Sequence, residues 1–225
     1  MALGNIGVIV SARTASHRLP GKALLPLNGL PMVLFLLERL KPLQGGRLVF
    51  ATTELASDDE LAGAVAKTGV PVFRGSADDL VARHVGAAAA FGFDTVGRVT
   101  GDCPFVNAEM VDYCLDQAAR LTPFDLVTTK GAFPVGLDVE FYPAAVMVRL
   151  HQDMGLTGEE REHLTLRLYR GGFDVRRLSP RADWPANGRA FTVDTGADYE
   201  RAVALAGRFG ATQFSLADLL KKDAA

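Results

Sequence analysis

Ile6-Gly7-Val8-Ile9-Val10 is a short β-rich apolar run, and Ser11-Ala12-Arg13-Thr14-Ala15-Ser16-His17-Arg18-Leu19-Pro20-Gly21-Lys22 follows it with three cations and no acid. The alternation that begins there decides the fold. Helical patterns over Met32 to Lys41, Asp58 to Thr68, Ala77 to Phe91 and Ala108 to Leu121 are interleaved with strand-like runs at Arg47 to Thr52, Val70 to Arg74, Thr95 to Thr100 and Asp125 to Thr129. Strands alternating with helices define an α/β class with a parallel sheet. Leu137 to Tyr142, also strand-like, breaks the rhythm, so the sheet is expected to be mixed. Met110, Val111, Cys114, Leu115 and Ala118 recur at helical spacing, which makes Cys114 a core residue.

Ser57 to Glu60, Ser76 to Asp79, Thr157 to Glu160 and Thr195 to Asp198 each place an acid three residues after a hydroxyl, the pattern of a helix capping box. Ser179 to Arg189 is expected to be an internal loop, because apolar patterns resume at Ala190 to Val193 and Tyr199 to Phe209. The chain therefore reads as one domain over residues 1–225.

Its 225 residues carry 24 Lys and Arg against 26 Asp and Glu, a net charge of −2, with 48% hydrophobic residues. That balance argues against a nucleic-acid partner, which calls for a cationic excess, and against a disordered chain. Ala23 to Leu37, the longest uncharged run of interest, contains two prolines and is too short to span a bilayer, so no membrane association is expected. No basic stretch precedes the first apolar run, and Cys103 and Cys114 have no disulfide or zinc spacing. A cytoplasmic location with reduced thiols is the expectation.

A loop after the first strand of an open α/β sheet is where such sheets bind ligands. The dinucleotide Gly-x-Gly fingerprint is missing, and the P-loop pattern fails because Ser16 replaces its first Gly and Ala23 its hydroxyl residue. Arg13, Arg18 and Lys22, with loop N–H groups around them, would still suit a triphosphate. The alternative is a solvated surface loop.

Asp102 follows the strand Thr95 to Thr100 in a Gly-Asp-x-Pro turn whose Gly101 permits close backbone approach. Asp194 ends the short expected strand Phe191 to Val193. Alone, Asp102 reads equally as a turn former and Asp194 as a helix cap. Together, at two strand ends beside a cationic loop, they could share one Mg2+ that takes its other ligands from substrate phosphates. Asp138 and Glu140 alternate on a strand-like run and could face an acceptor together, or simply line an exposed strand face. Glu160-Arg161-Glu162-His163 lacks the paired histidines of a zinc site and suits an interface or acceptor element. His17, His84 and His151 read as ordinary surface or packed residues.

Arg13 to Lys22 resembles the Arg-x-x-Ser-x-Arg-Leu-Pro-x-Lys motif of the CMP-sugar-acid synthetases, which include the acylneuraminate and deoxyoctulosonate cytidylyltransferases. The resemblance continues through Phe73-Arg74-Gly75-Ser76 with Asp78-Asp79, Arg98 to Pro104, Gly136 to Glu140, Glu160 to His163 and Thr192 to Thr195. It is greatest for the spore coat polysaccharide branch. Ala15, His17 and Val135 depart from that branch, which usually has Gly, Thr and Asp there.

The resemblance implies a three-layer α/β/α nucleotide-diphospho-sugar transferase-like fold and an Mg2+-dependent cytidylyltransferase. CMP would pass from CTP to a sugar or sugar-acid hydroxyl, with pyrophosphate leaving. Arg13, Lys22 and Asp102 would be catalytic. Ala12, Arg13, Arg18, Lys22, Arg74, Ser76 and Gly101 would bind nucleotide, with Arg98 a weaker candidate. Asp138, Glu140, Arg161 and His163 would face the acceptor, and Asp102 and Asp194 would hold the metal. Segment 133–170 would serve acceptor binding or homodimer pairing. A nucleotide-sugar glycosyltransferase and a noncatalytic nucleotide-binding subunit are the rivals; Asp102-Cys103-Pro104 lacks the Asp-x-Asp metal motif of the first, and retention of both aspartates argues against the second.

Overall fold

The computed structural model describes residues 3–153, 155–184 and 188–223. Five strands and three helices establish the half of the molecule that matters most: β1 (Ile6–Ser11), a small hairpin of β2 (Pro26–Leu27) and β3 (Leu30–Pro31), α1 (Met32–Leu40), β4 (Arg47–Thr53), α2 (Asp59–Ala66), β5 (Val72–Gly75) and α3 (Leu80–Phe91). Then come β6 (Thr95–Thr100), α4 (Ala108–Leu121), β7 (Leu126–Thr128), β8 (Glu140–Pro143), α5 (Ala144–Asp153), α6 (Gly158–Glu162), α7 (Leu166–Tyr169), β9 (Val175–Arg177), α8 (Gly196–Gly207) and α9 (Leu216–Asp223).

Seven strands form one sheet in the order β5-β4-β1-β6-β8-β7-β9. β1 is parallel to β4 and β6, while β8 runs antiparallel between β6 and β7. Alternation along β1 explains the layering. Val8 and Val10 face a core shared with α1, α4, α8 and α9, whereas Ile9 faces one shared with α3, α5 and α7. Helices thus cover both faces, which is why the central strands are apolar on both sides. Buried Arg39 ties α1 to the C-terminal segment: its guanidinium donates to the carbonyls of Thr212, Phe105 and Phe214 and lies 3.8 Å above the Phe214 ring.

Several expectations need correction. Only Thr157 and Thr195 form capping boxes; Ser57 lies in a short 3-10 turn, and Ser76 accepts from the Asp79 N–H while Asp79 itself caps α3. Asp and Ser cap about equally well, so sequence spacing could not show that Asp79 would take the position. Phe191 to Val193 joins no ladder, because its backbone bonds instead to Val135 and to the Asp102 turn. β8 begins only at Glu140, so Asp138 lies outside it. β9 was not anticipated, being too short and too charged to show a period. Residues 185–187 of the expected loop lie outside the described residues. Among the described residues, no helix is long and apolar enough to cross a membrane.

Candidate active site

β1 is the point at which the strand order reverses, since β4 and β5 lie on one side of it and β6 on the other. A crevice opens at the carboxyl ends of parallel strands at such a point. The loop after β1 is held in this crevice by bonds that sequence reading did not anticipate. Asp58, at the start of α2, accepts from the Thr14 N–H at 2.8 Å and from the hydroxyls of Thr14 and Thr52 at 2.5 and 3.1 Å. Burial works to raise the pKa of this carboxyl, but the Thr14 and Thr53 bonds outweigh it and keep the group ionised.

The loop then turns sharply. Pro20 and Gly21 form a β-turn closed by the Lys22 N–H on the Leu19 carbonyl, and Gly21 takes φ +68°, the value a glycine supplies at the third turn position. The N–H groups of Ala12, Thr14, Leu19, Gly21 and Lys22 are all bonded within the protein. A cradle built here therefore draws more on side chains than the sequence suggested.

That turn sends Lys22 inward. Its ammonium donates to Asp102 Oδ2 at 3.0 Å, to Asp194 Oδ1 at 2.9 Å and to the Val193 carbonyl at 2.9 Å. Arg18 reaches the other oxygen of Asp194 at 3.0 Å. Burial disfavours each charge, yet the pairing prevails: Asp102 is held below the usual carboxylate range and Lys22 above its ordinary value. Two backbone contacts fix the two aspartates. Gly101 donates to the Ser11 carbonyl at 2.8 Å, and a Cβ on it would lie 2.6 Å from that of Ala12. The Val193 N–H donates to the Asp102 carbonyl at 2.8 Å, which brings Asp194 alongside although it is 92 residues later in the chain.

These groups line a cleft of about 700 Å³. Of the residues singled out in the sequence, Ala12, Arg13, Arg18, Lys22, Gly101, Asp102, His163 and Asp194 all face it. The others do not. Arg74 is turned to the carbonyls of Thr53 and Leu55 and to Asp59, and Ser76 serves the α3 entry. Arg161 pairs with Asp79. Asp138 accepts from the Gly136 N–H, and Glu140 is buried beneath Arg98. Asp138 and Glu140 are thus both engaged within the protein, and neither lines the cleft.

Ser11, Arg83, Arg98 and Glu162 line the cleft and were missed or undervalued. Arg83 and Arg13 both donate to the Ala77 carbonyl at 3.2 Å, so two guanidinium groups converge on one wall. Glu162 closes that wall by pairing with Arg13 at 3.1 Å. Ser11 Oγ lies 2.6 Å from His84 Nε2, whose other nitrogen is 2.7 Å from the Tyr142 hydroxyl. Burial, reinforced by Arg98 and Arg83, keeps His84 neutral. Nothing in a sequence period marks Arg83 or Ser11, because their direction depends on how α3 packs on β1.

Among the described residues no three His, Cys, Asp or Glu gather into a metal-binding group. Asp102 and Asp194 nonetheless fit a hard divalent cation: both are oxygen donors, and each has an oxygen within 3.0 Å of the same nitrogen. Two protein carboxylates with phosphate and water oxygens completing the shell is how Mg2+ is commonly held.

A three-layer α/β/α sheet with a cationic loop and paired aspartates at its switch point defines a nucleotidyltransferase-type protein. Residues 7–170 match the family model described as cytidylyltransferase, and the chain belongs to that family. It is 32% identical over 215 residues to the spore coat polysaccharide biosynthesis protein SpsF of Bacillus subtilis, covering 92% of this chain and 89% of that protein. A cytidylyltransferase structure from Leptospira borgpetersenii superposes with a TM-score of 0.90 at 30% identity, over 97% of this chain and 93% of that one. CMP:2-keto-3-deoxy-manno-octonic acid synthetase complexed with CTP shares the fold, with a TM-score of 0.73 at 22% identity over 92% of this chain and 100% of that one.

Proposed function

We propose that this enzyme transfers CMP from CTP to a hydroxyl of a sugar or sugar acid, with release of pyrophosphate, in the supply of surface polysaccharide precursors. The observation that carries this reading is the convergence of Lys22, Asp102 and Asp194 beside the Arg13 and Arg18 loop. Family membership and the likeness to SpsF support the choice of cytidine and of a polysaccharide precursor.

The acceptor oxygen forms a bond to the α-phosphorus while the bond to the β-phosphate oxygen breaks, and the acceptor proton goes to solvent. Little covalent chemistry falls to the protein, so positioning and charge neutralisation carry catalysis. Asp102 and Asp194 would hold Mg2+, which when bound supplies Lewis-acid neutralisation of phosphate oxygens. Lys22 would turn from the aspartates to the phosphates, and Arg13 and Arg18 would take charge developing on pyrophosphate. Gly101 keeps the aspartate turn against Ala12, so the metal and phosphate elements stay in register. His163 and segment 133–170 would border the acceptor, and the same segment would serve homodimer pairing. Buried unpaired Cys103 and Cys114 support a cytoplasmic setting.

The test is pyrophosphate release from each nucleoside triphosphate with Mg2+ and a panel of sugar acids. Turnover is expected with CTP. No turnover with any pair, together with tight binding of a nucleotide-sugar, would replace this reading with the glycosyltransferase one.

A further inference from the structure

Tyr142, His84 and Ser11 form a hydrogen-bonded chain that begins in the core and ends in the cleft. His84 Nδ1 lies 2.7 Å from the Tyr142 hydroxyl, and Nε2 lies 2.6 Å from Ser11 Oγ. Tyr142 and His84 are each 1% exposed, whereas Ser11 is 9% exposed and lines the cleft. Among the described residues, neither hydroxyl has a second hydrogen-bond partner.

Counting hydrogens fixes the direction of the chain. Burial and the charges of Arg98 and Arg83 keep His84 neutral, so one ring nitrogen carries a hydrogen and the other accepts. If Nδ1 carried it, Nδ1 would donate to the phenol oxygen, and the phenol hydrogen would be buried with no acceptor. If Nε2 carries it, the phenol donates to Nδ1, Nε2 donates to Ser11 Oγ, and every buried hydrogen is used. An unsatisfied buried group is costly enough to favour the second arrangement by about tenfold or more. Ser11 then accepts from the protein, and its own hydrogen is left for the cleft.

Neutral donors are scarce there. The loop N–H groups are already bonded within the protein, and the hydroxyl of Thr100, the register partner of Ser11, lies 3.1 Å from Cys103 Sγ. Arg13, Arg18 and Lys22 carry full charges and suit phosphates. An uncharged hydroxyl suits an uncharged acceptor, such as a pyrimidine carbonyl or ring nitrogen.

Position agrees with that match. Ser11 ends β1, the central strand of the parallel set β5, β4, β1 and β6, and β1 to β5 with their two helices make a mononucleotide-binding half. Ser11 faces α3, as Ile9 does, whereas Ala23 and Cys103, the neighbours of Lys22 and Asp102, pack into the core on the other face of the sheet. A nucleotide with its phosphates on Lys22 therefore carries its base toward Ser11.

We propose that Ser11 donates a hydrogen bond to the base of the bound nucleotide, with His84 and Tyr142 as positioning residues that hold its hydroxyl in the donating direction. This deepens the cytidylyl-transfer reading and rests on it for the identity of the nucleotide as CTP. Tyr142 then acts on the nucleotide through two other side chains, without touching it.

The direction is read by 15N NMR of the ligand-free full chain, with His84 assigned from the signals lost in His84→Gln. Nε2 should carry the hydrogen and Nδ1 should be bare. The contact is read by calorimetric titration with Mg2+ and no acceptor, using CTP and pyrophosphate as probes. Ser11→Ala should bind CTP about threefold to tenfold more weakly, the scale of one neutral hydrogen bond, and pyrophosphate within about twofold of wild type. Tyr142→Phe frees the imidazole to choose either nitrogen, so it should show part of the same loss for CTP and no further loss in the Ser11→Ala protein. A packing role for Tyr142 would weaken both proteins alike.

A hydrogen on Nδ1, or an unchanged CTP affinity in Ser11→Ala, overturns the proposal. Equal losses for CTP and pyrophosphate overturn it too, by moving the bond to a phosphate, as does an effect confined to the KM of the acceptor. If Tyr142→Phe does not fold, the wild-type tautomer and the Ser11→Ala titrations decide. Pyrophosphate release on the same preparations keeps the two readings apart. Release with CTP binding independent of Ser11 refutes this assignment alone, while Ser11-dependent CTP binding without release from any acceptor refutes the transfer reaction alone.

Discussion

Lys22 Nζ lies 3.0 Å from Asp102 Oδ2, and the same nitrogen reaches Asp194 at 2.9 Å. One ammonium thus bridges two carboxylates that would repel each other without a cation, with Arg18 on the far oxygen of the second. The lysine has two uses for one charge, with the acids or with the phosphates of a substrate.

Lys22→Met separates these uses. Asp102 left without its ammonium, and Asp194 left with Arg18 alone, should lower the stability of the ligand-free protein by about 1–3 kcal/mol, as a part-buried charge that loses its partner does. The same change should tighten Mn2+ binding measured without nucleotide, because the competing ammonium is gone. The apparent KM for CTP should rise or kcat fall. Unaltered Mn2+ affinity and unaltered kinetics would reduce Lys22 to scaffold.

Asp102→Asn keeps shape and removes charge. Pyrophosphate release should fall by about a hundredfold to a thousandfold or more, the scale seen when one transition-state charge partner is lost. Circular dichroism should be unchanged, since the side chain is partly open to the cleft. Asp194→Asn should behave alike. Full activity in both variants would refute the shared-metal assignment even if the reaction stands.

Gly101→Ala tests register rather than charge. Its Cβ would meet Ala12 Cβ at 2.6 Å and the Ser11 carbonyl at 3.1 Å, so the phosphate loop must move. A displacement near 1 Å can cost on the order of a hundredfold, so kcat/KM should drop by about that factor. Gly63→Ala is the matched control. It lies in α2 with open space around its Cβ, and should raise stability by roughly 0.5–1 kcal/mol without changing kinetics.

Acid sensitivity should trace largely to Glu140. Burial opposes its ionisation, but Arg98 and Lys130 with the Tyr169 bond hold its pKa at about 2, against an unfolded value of 4.5. A depressed folded pKa means the unfolded state takes up the proton first. The stabilisation is therefore complete above pH 4.5 and is lost as pH falls from there toward 2, amounting to about 3 kcal/mol. Asp58 contributes with the same sign. Chemical denaturation at a series of pH values should show this decline, and Glu140→Gln should flatten it. An unchanged slope in that variant would place the acid sensitivity elsewhere.

How much of this was legible in the sequence depends on how local the information is. The α4 span Ala108–Leu121 and the β6 span Thr95–Thr100 follow from apolar period alone and match the structure residue for residue. The Leu19 to Lys22 turn is equally local, since Pro20 and Gly21 prescribe it. Segment 191–194 illustrates the limit. Its apolar residues read as a strand, but its hydrogen bonds go to Val135 and Asp102, and no neighbour in sequence specifies those partners.

The sequence by itself determined that helices and strands alternate, that cations gather after the first strand, and that carboxylates stand at two later turns. Those are properties of period, turn chemistry and residue type, all expressed within a few positions. Tertiary structure alone decided that Asp58 clamps Thr14, that Arg74 turns away while Arg83 and Arg98 turn in, and that Glu140 lies buried under a guanidinium. Each depends on strand order and helix packing, which bring together groups tens to hundreds of residues apart and set which way a long side chain can point.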